Sequence, residues 1–225
     1  MMSLANAPAP QLRSSLVPHT TPIVFVVDND VSMRESLDAM ILSAGWRPQV
    51  FASAQEFLAL PRVFAPSCLV LDVTLPDLNG LEVQRNIAAD RTDMPIIITT
   101  SQGDVPMTVQ AMKAGAVEFL TKPFRIELML SAIRYAIERS QVALRQEVQL
   151  RALQGRYTSL SRREREVMVL VVSGLLNKQV GRELGISEIT VKAHRGRAMQ
   201  KMKADSLANL VNMAAALRLA PALKE

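Results

Sequence analysis

The sequence predicts a five-stranded, doubly wound parallel α/β sheet followed by a small all-α helix-turn-helix unit. Three observations carry that prediction. Five short apolar runs alternate with helical stretches over roughly the first 140 residues, the pattern of a parallel sheet covered on both faces. The last third reads as helix throughout and contains a helix, a tight glycine-containing turn and a second helix. Charge divides along the same line. Residues 1–149 hold 12 Lys+Arg and 15 Asp+Glu, whereas residues 150–225 hold 14 and 6. An acidic front and a basic back imply two jobs, the second on a polyanion; a solvated basic surface is the other reading of charge alone.

The elements follow in order. Residues 1–21 are rich in Pro, Ala and Ser and read as a flexible tail. IVFVV (23–27) is a continuous apolar run of buried-strand length. Asp30 caps a helix over about 31–44, with Met33, Leu37, Met40, Ile41 and Ala44 on its inner face and Gly45 as its stop. A weaker strand spans 48–51. Ser53 and Glu56 have capping-box spacing for a short helix to about Leu60. CLVLD (68–72) is the next strand, and Leu81, Val83 and Ile87 mark the helix after it. IIITT (96–100) is a strand, 106–114 a helix ending at Gly115, and VEFL (117–120) the last strand. From about Arg125 the pattern stays helical with no breaker until Gly155. Leu128, Ala132, Tyr135, Ile137, Val142, Leu144, Val148, Leu150 and Leu153 form its loose apolar stripe. Two readings stand for that stripe: a coiled-coil contact between two chains, or packing of one helix on its own domain. Ser161 and Glu164 open a helix ended by Gly174, and helices follow over 177–184, 188–203 and 206–219, with the turn LGIS (184–187) between the first two.

Several function classes drop out early. No apolar run approaches the ~18 residues of a membrane span, and the N-terminal stretch has no apolar signal core. The expectation is a cytoplasmic protein with no membrane partner. The lone Cys68 lies in an apolar run and reads as a packed thiol in a reducing compartment. No glycine-rich dinucleotide or phosphate-binding loop follows the first strand.

Working groups of a parallel sheet gather at the carboxyl ends of its strands. Here those ends carry Asp28, in VVDND (26–30), Asp72, in LVLDVTLPDLNG (69–80), then Thr100 and Lys122. Clustered carboxylates repel unless a cation sits among them, and hard oxygen ligands suit Mg²⁺. Asp72 is a candidate nucleophile forming an acyl phosphate. Thr100 offers a hydroxyl donor to a phosphoryl oxygen, and Lys122 a compact positive charge.

Residues 22–140 resemble the receiver domain of two-component response regulators, a flavodoxin-like fold. The resemblance rests on VVDND, LVLDVTLPDLNG and PIIITTSQGDVPMTVQAMKAGAVEFLTKPF. The stretch GDVPMTVQAMKAGAVEFLTKPF is similar to the NarL/FixJ family in particular. The resemblance implies Asp72 as phosphoacceptor, Thr100 as switch hydroxyl, Lys122 as phosphate contact and Phe119 as the aromatic that moves. It implies metal ligation by Asp28, Asn29, Asp72 and the Thr74 carbonyl, and a cis peptide between Lys122 and Pro123. Asn29 departs from the family, which carries two adjacent acids there. The expectation is weaker Mg²⁺ binding and slower phosphorylation, with Asp30 as a helper through water. Ser101 is a smaller departure, where a residue larger than Gly or Ala hinders access to the phosphoryl site.

Residues 157–225 form the last domain, joined to the receiver-like part by a linker helix over 141–156. Residues 157–220 resemble the LuxR-type DNA-binding domain through LSRRERE, GLLNKQV, LGIS and TVKAH. In the helix SEITVKAHRGRAMQKMK (187–203), Val191, Ala198 and Met202 share the packed side. Glu188, Lys192, Ala193 and Gly196 project on another, with Arg195 at its margin. Small residues at 193 and 196 let the helix lie close to base edges in the major groove. Lys178, Thr190, Arg197, Lys201 and Lys203 are phosphate candidates, and His194 reads as a partly buried, hydrogen-bonded residue.

The resemblances imply a regulator, not an enzyme: a partner histidine kinase phosphorylates Asp72, the change promotes homodimerisation and binding to double-stranded promoter DNA, and RNA polymerase is a further partner. An alternative keeps the DNA binding but has a receiver-like domain that phosphorylation does not control.

Overall fold

The structure is a computed structural model that describes residues 21–219. The tail expected at the N-terminus therefore lies, but for Thr21, outside the described residues. The chain divides between Arg145 and Gln146 into two compact units.

In the first unit, five parallel strands run β1 (Ile23–Val27), β2 (Arg47–Phe51), β3 (Ser67–Asp72), β4 (Ile96–Thr100) and β5 (Glu118–Thr121), in the sheet order β2-β1-β3-β4-β5. Helices α1 (Val31–Ser43), α2 (Ala54–Leu58), α3 (Gly80–Asp90), α4 (Val105–Lys113) and the start of α5 (Ile126–Thr158) alternate with them. β1 is all apolar and wholly buried because both sheet faces are covered. Its odd residues Ile23, Phe25 and Val27 join Leu69, Leu71, Ile96 and Ile98 in a core closed by Phe57, Leu81, Val83, Ile87 and Ala111 of α2, α3 and α4. Its even residues Val24 and Val26 join Cys68, Val70 and Ile97 against Leu37 and Ile41 of α1 and Met129, Ile133 and Ile137 of α5. The chain turns from one side of β1 to the other between β2 and β3. That reversal opens a crevice at the carboxyl ends of β1 and β3.

Asp30 caps α1 by accepting from the Ser32 and Met33 N–H groups, as its position predicts. Ala44 is not part of the inner face: α1 ends at Ser43, and Ala44 is an exposed C-cap residue. The box expected at α2 closes on one side only. The Ser53 hydroxyl accepts from Glu56 N–H, but the Glu56 carboxylate reaches Ala52 N–H instead, and the helix stops at Leu58. In α5 the structure splits the sequence stripe: Ala132, Ile137 and Leu144 face inward and Leu153 packs in the second unit, but the other five face solvent. Met129, Ala132, Ile133, Ala136, Ile137, Ser140 and Leu144 are buried, while Leu128, Tyr135, Val142, Val148 and Leu150 are exposed. Nor does Gly155 break the helix, which runs to Thr158. Helical glycine costs only about 1 kcal/mol relative to alanine, which the Leu153 and Tyr157 packing of that segment offsets.

The second unit holds the end of α5, α6 (Arg162–Val172), α7 (Asn177–Leu184), α8 (Glu188–Met202) and α9 (Leu207–Ala216). Ser161 and Glu164 form a closed capping box at α6. The turn between α7 and α8 needs a left-handed residue, and Gly185 supplies it at φ +66°. Leu160, Met168, Ala198, Met202, Leu210 and Ala214 make one apolar cluster, and Val167, Val171, Val180 and Val191 a second under the α7–α8 turn.

Candidate functional site

Strand register builds the first site. Val27 of β1 pairs with Leu71 of β3, so the next residues, Asp28 and Asp72, emerge side by side. Thr100 of β4 pairs with Thr121 of β5, which sends Lys122 out of the same edge. Lys122 Nζ donates to Asp28 Oδ2 at 2.6 Å and to Asp72 Oδ2 at 2.9 Å. The carboxylates are only 1% and 3% exposed, and the ammonium between them offsets their mutual repulsion. Burial pushes the lysine toward its neutral form, but hydrogen bonds and charge from Asp28 and Asp72 outweigh it and hold its pKa above the ordinary range. The second oxygen of each carboxylate accepts a loop N–H: Asp30 N–H to Asp28 Oδ1 at 3.0 Å, and Thr74 N–H to Asp72 Oδ1 at 3.3 Å.

The other expected residues lie around this triad. Asn29 and Thr74 are exposed at the loop tips beside Asp28 and Asp72. Thr100 is buried, and its hydroxyl oxygen accepts from Gln102 N–H at 3.2 Å. Phe119 is half-buried and packs against the α2–α4 core. The Lys122–Pro123 peptide is cis. Asp30 Oδ1 accepts from the Ser32 hydroxyl and from the Ser32 and Met33 N–H groups at the start of α1. Those bonds, the Ser32 hydroxyl first, hold its carboxyl below the usual range.

Among the described residues no three His, Cys, Asp or Glu side chains converge as a metal cluster. The donors present are two buried carboxylates, an amide and a carbonyl, all oxygen. This set suits Mg²⁺, which takes one or two carboxylates and completes its shell with water.

Four positioning residues escaped the sequence reading. A Cβ on Gly80 would strike the Asp72 carbonyl oxygen and come within 2.8 Å of Val73 Cα, so only glycine lets α3 start this close to the Asp72 backbone. Arg34 of α1 donates to the Asp28 carbonyl at 2.6 Å. Asp77 accepts from Gln55 N–H at 2.8 Å and Ala54 N–H at 3.3 Å, tying the β3–α3 loop to α2. Gln84, fully buried on α3, donates to the Ala111 carbonyl of α4 at 2.9 Å. The LPDLNG segment hinted at the first and third; nothing local marked the others.

The second site is α8. Val191, Ala198 and Met202 are buried, and Glu188, Lys192, Ala193 and Gly196 are exposed. Lys192 pairs with Glu188 at 3.1 Å, and Arg195, half-buried, donates to Asn177 of α7 at 3.2 Å. Thr190 hydrogen-bonds Ser187 at the helix start, and Lys178 is exposed on α7. Lys201 is not a free phosphate candidate: it ion-pairs at 2.7 Å with the buried Glu164. His194 is partly buried as expected, but its Nδ1 has no hydrogen-bond partner among the described residues.

Comparison with known proteins agrees with both units. Residues 24–134 match the response regulator receiver domain, and residues 158–214 match the bacterial regulatory proteins of the luxR family. The chain is therefore a response regulator whose receiver domain is joined to a LuxR-type DNA-binding domain. It belongs to the NarL/FixJ family. It is 48% identical over 198 residues to nodulation protein W of Bradyrhizobium diazoefficiens, covering 88% of this chain and 87% of that protein. It is 42% identical over 192 residues to the transcriptional regulatory protein FixJ of the same species, covering 85% and 93%. The solved structure of the response regulator StyR is 43% identical, with a TM-score of 0.76 over 87% of this chain and 99% of that one. No helix among the described residues is long and apolar enough to cross a membrane.

Proposed function

We propose that this protein is a cytoplasmic transcriptional regulator switched by phosphorylation of Asp72. The observation that carries the reading is Lys122 Nζ held between Asp28 and Asp72 in a chain that also carries an exposed helix-turn-helix. An Asp72 carboxylate oxygen attacks the phosphorus of a partner kinase's phosphohistidine. The P–N bond breaks, the imidazole leaves with its electron pair and takes up a proton, and an acyl phosphate remains on Asp72. Asp28, Asn29, Asp72 and the Thr74 carbonyl would hold Mg²⁺, which when bound supplies positive charge against the phosphoryl oxygens. Lys122 shifts its contact from the Asp72 carboxylate to the new phosphoryl group. Thr100 gives up Gln102 N–H to donate its hydroxyl to the same group, and Phe119 moves into the space left.

That motion reaches α4, β5 and α5, where apolar residues face solvent. Val105, Val109 and Met112 share one face of α4, and Leu128, Tyr135 and Val142 recur every seven residues along α5, the spacing of a coiled-coil seam. These surfaces support a homodimer of the phosphorylated protein. Residues 22–140 then act as the receiver, 141–156 as the linker helix and 157–225 as the DNA-binding domain. Two copies of α8 reach half-sites about one helical turn apart. Ala193 and Gly196 face base edges, Lys192 and Arg195 beside them hold phosphates, with Glu188, Thr190 and Lys178 at the groove rim, and RNA polymerase is the further partner at the promoter. The protein is phosphorylated stoichiometrically and does not turn over substrate.

Asn29 favours one second reading, DNA binding without phosphorylation control, because it removes a negative charge from the cation site. Labelling by acetyl phosphate decides between them. One phosphoryl group per chain, dependent on Mg²⁺ and lost in Asp72→Asn, supports the switch. No labelling at any Mg²⁺ concentration supports the alternative.

A further inference from the structure

Ile189, in the first turn of α8, is 80% exposed, more than any other large apolar side chain among the described residues. Neither packing nor local helix preference accounts for it. β-Branched residues are mediocre helix formers, and the first turn favours acids. The core side of α8 is occupied by Val191, Ala198 and Met202. At about 100° per residue, Ile189, Ala193, Gly196 and Gln200 fall in a sector about 60° wide, directly opposite that core side. All four are exposed, and Lys192 and Arg197 flank them. The outermost line of the helix is therefore apolar or small at its first three positions and basic on both sides.

Gly196 has no internal reason to be glycine: a Cβ there would meet nothing within 4 Å. A basic-flanked helix face that is stripped of bulk after its first turn fits a surface that comes close to the backbone and carries negative charge at its edges. In helix-turn-helix docking the N-terminal residues of the second helix meet base edges. The apolar feature that base pairs present in the major groove is the thymine C5-methyl group.

We propose that Ile189 is a base-reading residue that packs against a thymine C5-methyl in the major groove, while Lys192 and Arg197 hold the flanking phosphates. The inference rests on the reading that α8 enters the major groove. It adds an apolar specificity contact to a helix otherwise read through its charges.

The test starts from a duplex selected from a random pool by the phosphorylated full-length protein. Wild type and Ile189→Ala are titrated against that duplex and against copies in which each thymine in turn is replaced by uracil, which removes only the methyl. Wild type is expected to lose about four-fold in affinity at one uracil position per half-site, the factor that burial of one methyl-sized group supplies. Ile189→Ala is expected to bind the parent duplex more weakly and to be indifferent to uracil at that position. Ile189 is exposed, so the variant keeps the wild-type melting temperature. Equal uracil responses in both proteins, or a variant that changes dimerisation and not uracil sensitivity, overturn the proposal while leaving groove binding intact. A wild type that enriches no sequence and binds no duplex overturns the underlying reading instead.

Discussion

Gly196→Ala separates the demands of folding from those of DNA binding at one atom. Gly196 lies in the middle of α8 at ordinary helical dihedrals, and an added methyl would meet nothing within 4 Å in the protein. Folding alone gains from the change: alanine is favoured over glycine in a helix interior by about 1 kcal/mol, about 2–8 °C in melting temperature depending on how much of the chain unfolds with it. Bound DNA has the opposite interest. If the helix backbone lies against base edges, the methyl occupies the contact itself, and a methyl forced into a close-packed contact costs about 1–3 kcal/mol, about 5- to 150-fold in Kd. Thermal melting and fluorescence anisotropy on a selected duplex read both numbers from one preparation. A variant that melts higher and binds as tightly as wild type refutes close approach at Gly196.

Three further outcomes follow. Asn29→Asp restores a carboxylate beside Asp28 and is expected to speed Mg²⁺-dependent labelling by acetyl phosphate and to lower the Mg²⁺ concentration for half-maximal rate; an unchanged rate shows that the amide is no handicap. The Lys122 pKa is raised by its carboxylate partners, so its stabilisation is fully present below the ordinary lysine range and is lost as pH rises through the folded value; chemical denaturation from pH 7 to pH 12 is expected to show an alkaline loss in wild type that Lys122→Met lacks. Glu164 has a lowered pKa, owed first to Lys201 and then to Ser161 N–H. Its contribution is present above the ordinary carboxylate range and lost as pH falls through the folded value, and Glu164→Ala is expected to cost about 1–2 kcal/mol through the cap and an ion pair with one exposed end.

Residues whose partners are near in sequence, or whose environment is uniform, were legible in the chain. IVFVV and IIITT are buried on both faces, so a plain apolar run suffices to place them. Asp30, Ser53 and Ser161 act within their own helix starts, and the charge split exposed the basic unit. The strand-end site was legible because topology alone brings Asp28, Asp72 and Lys122 to one edge. What stayed hidden depends on distant partners. The inner face of α5 is chosen by Val24, Cys68 and Ile97 of the sheet, and local periodicity cannot distinguish that face from the exposed line of Leu128, Tyr135 and Val142. Gly80 is fixed by the Asp72 carbonyl, Arg34 by the Asp28 carbonyl, Gln84 by the Ala111 carbonyl and Lys201 by Glu164. Each of these is a contact that only the folded chain creates.

The affinity of the full-length protein for its selected duplex, before and after treatment with acetyl phosphate and Mg²⁺, bears most directly on the coupling of the carboxylate edge to the DNA-reading helix. Wild type is expected to tighten by about 5- to 150-fold, the usual span of coupling between two sites, and Asp72→Asn to stay at the untreated value. Equal affinity in both states of the wild type, or the same tightening in Asp72→Asn, contradicts that coupling.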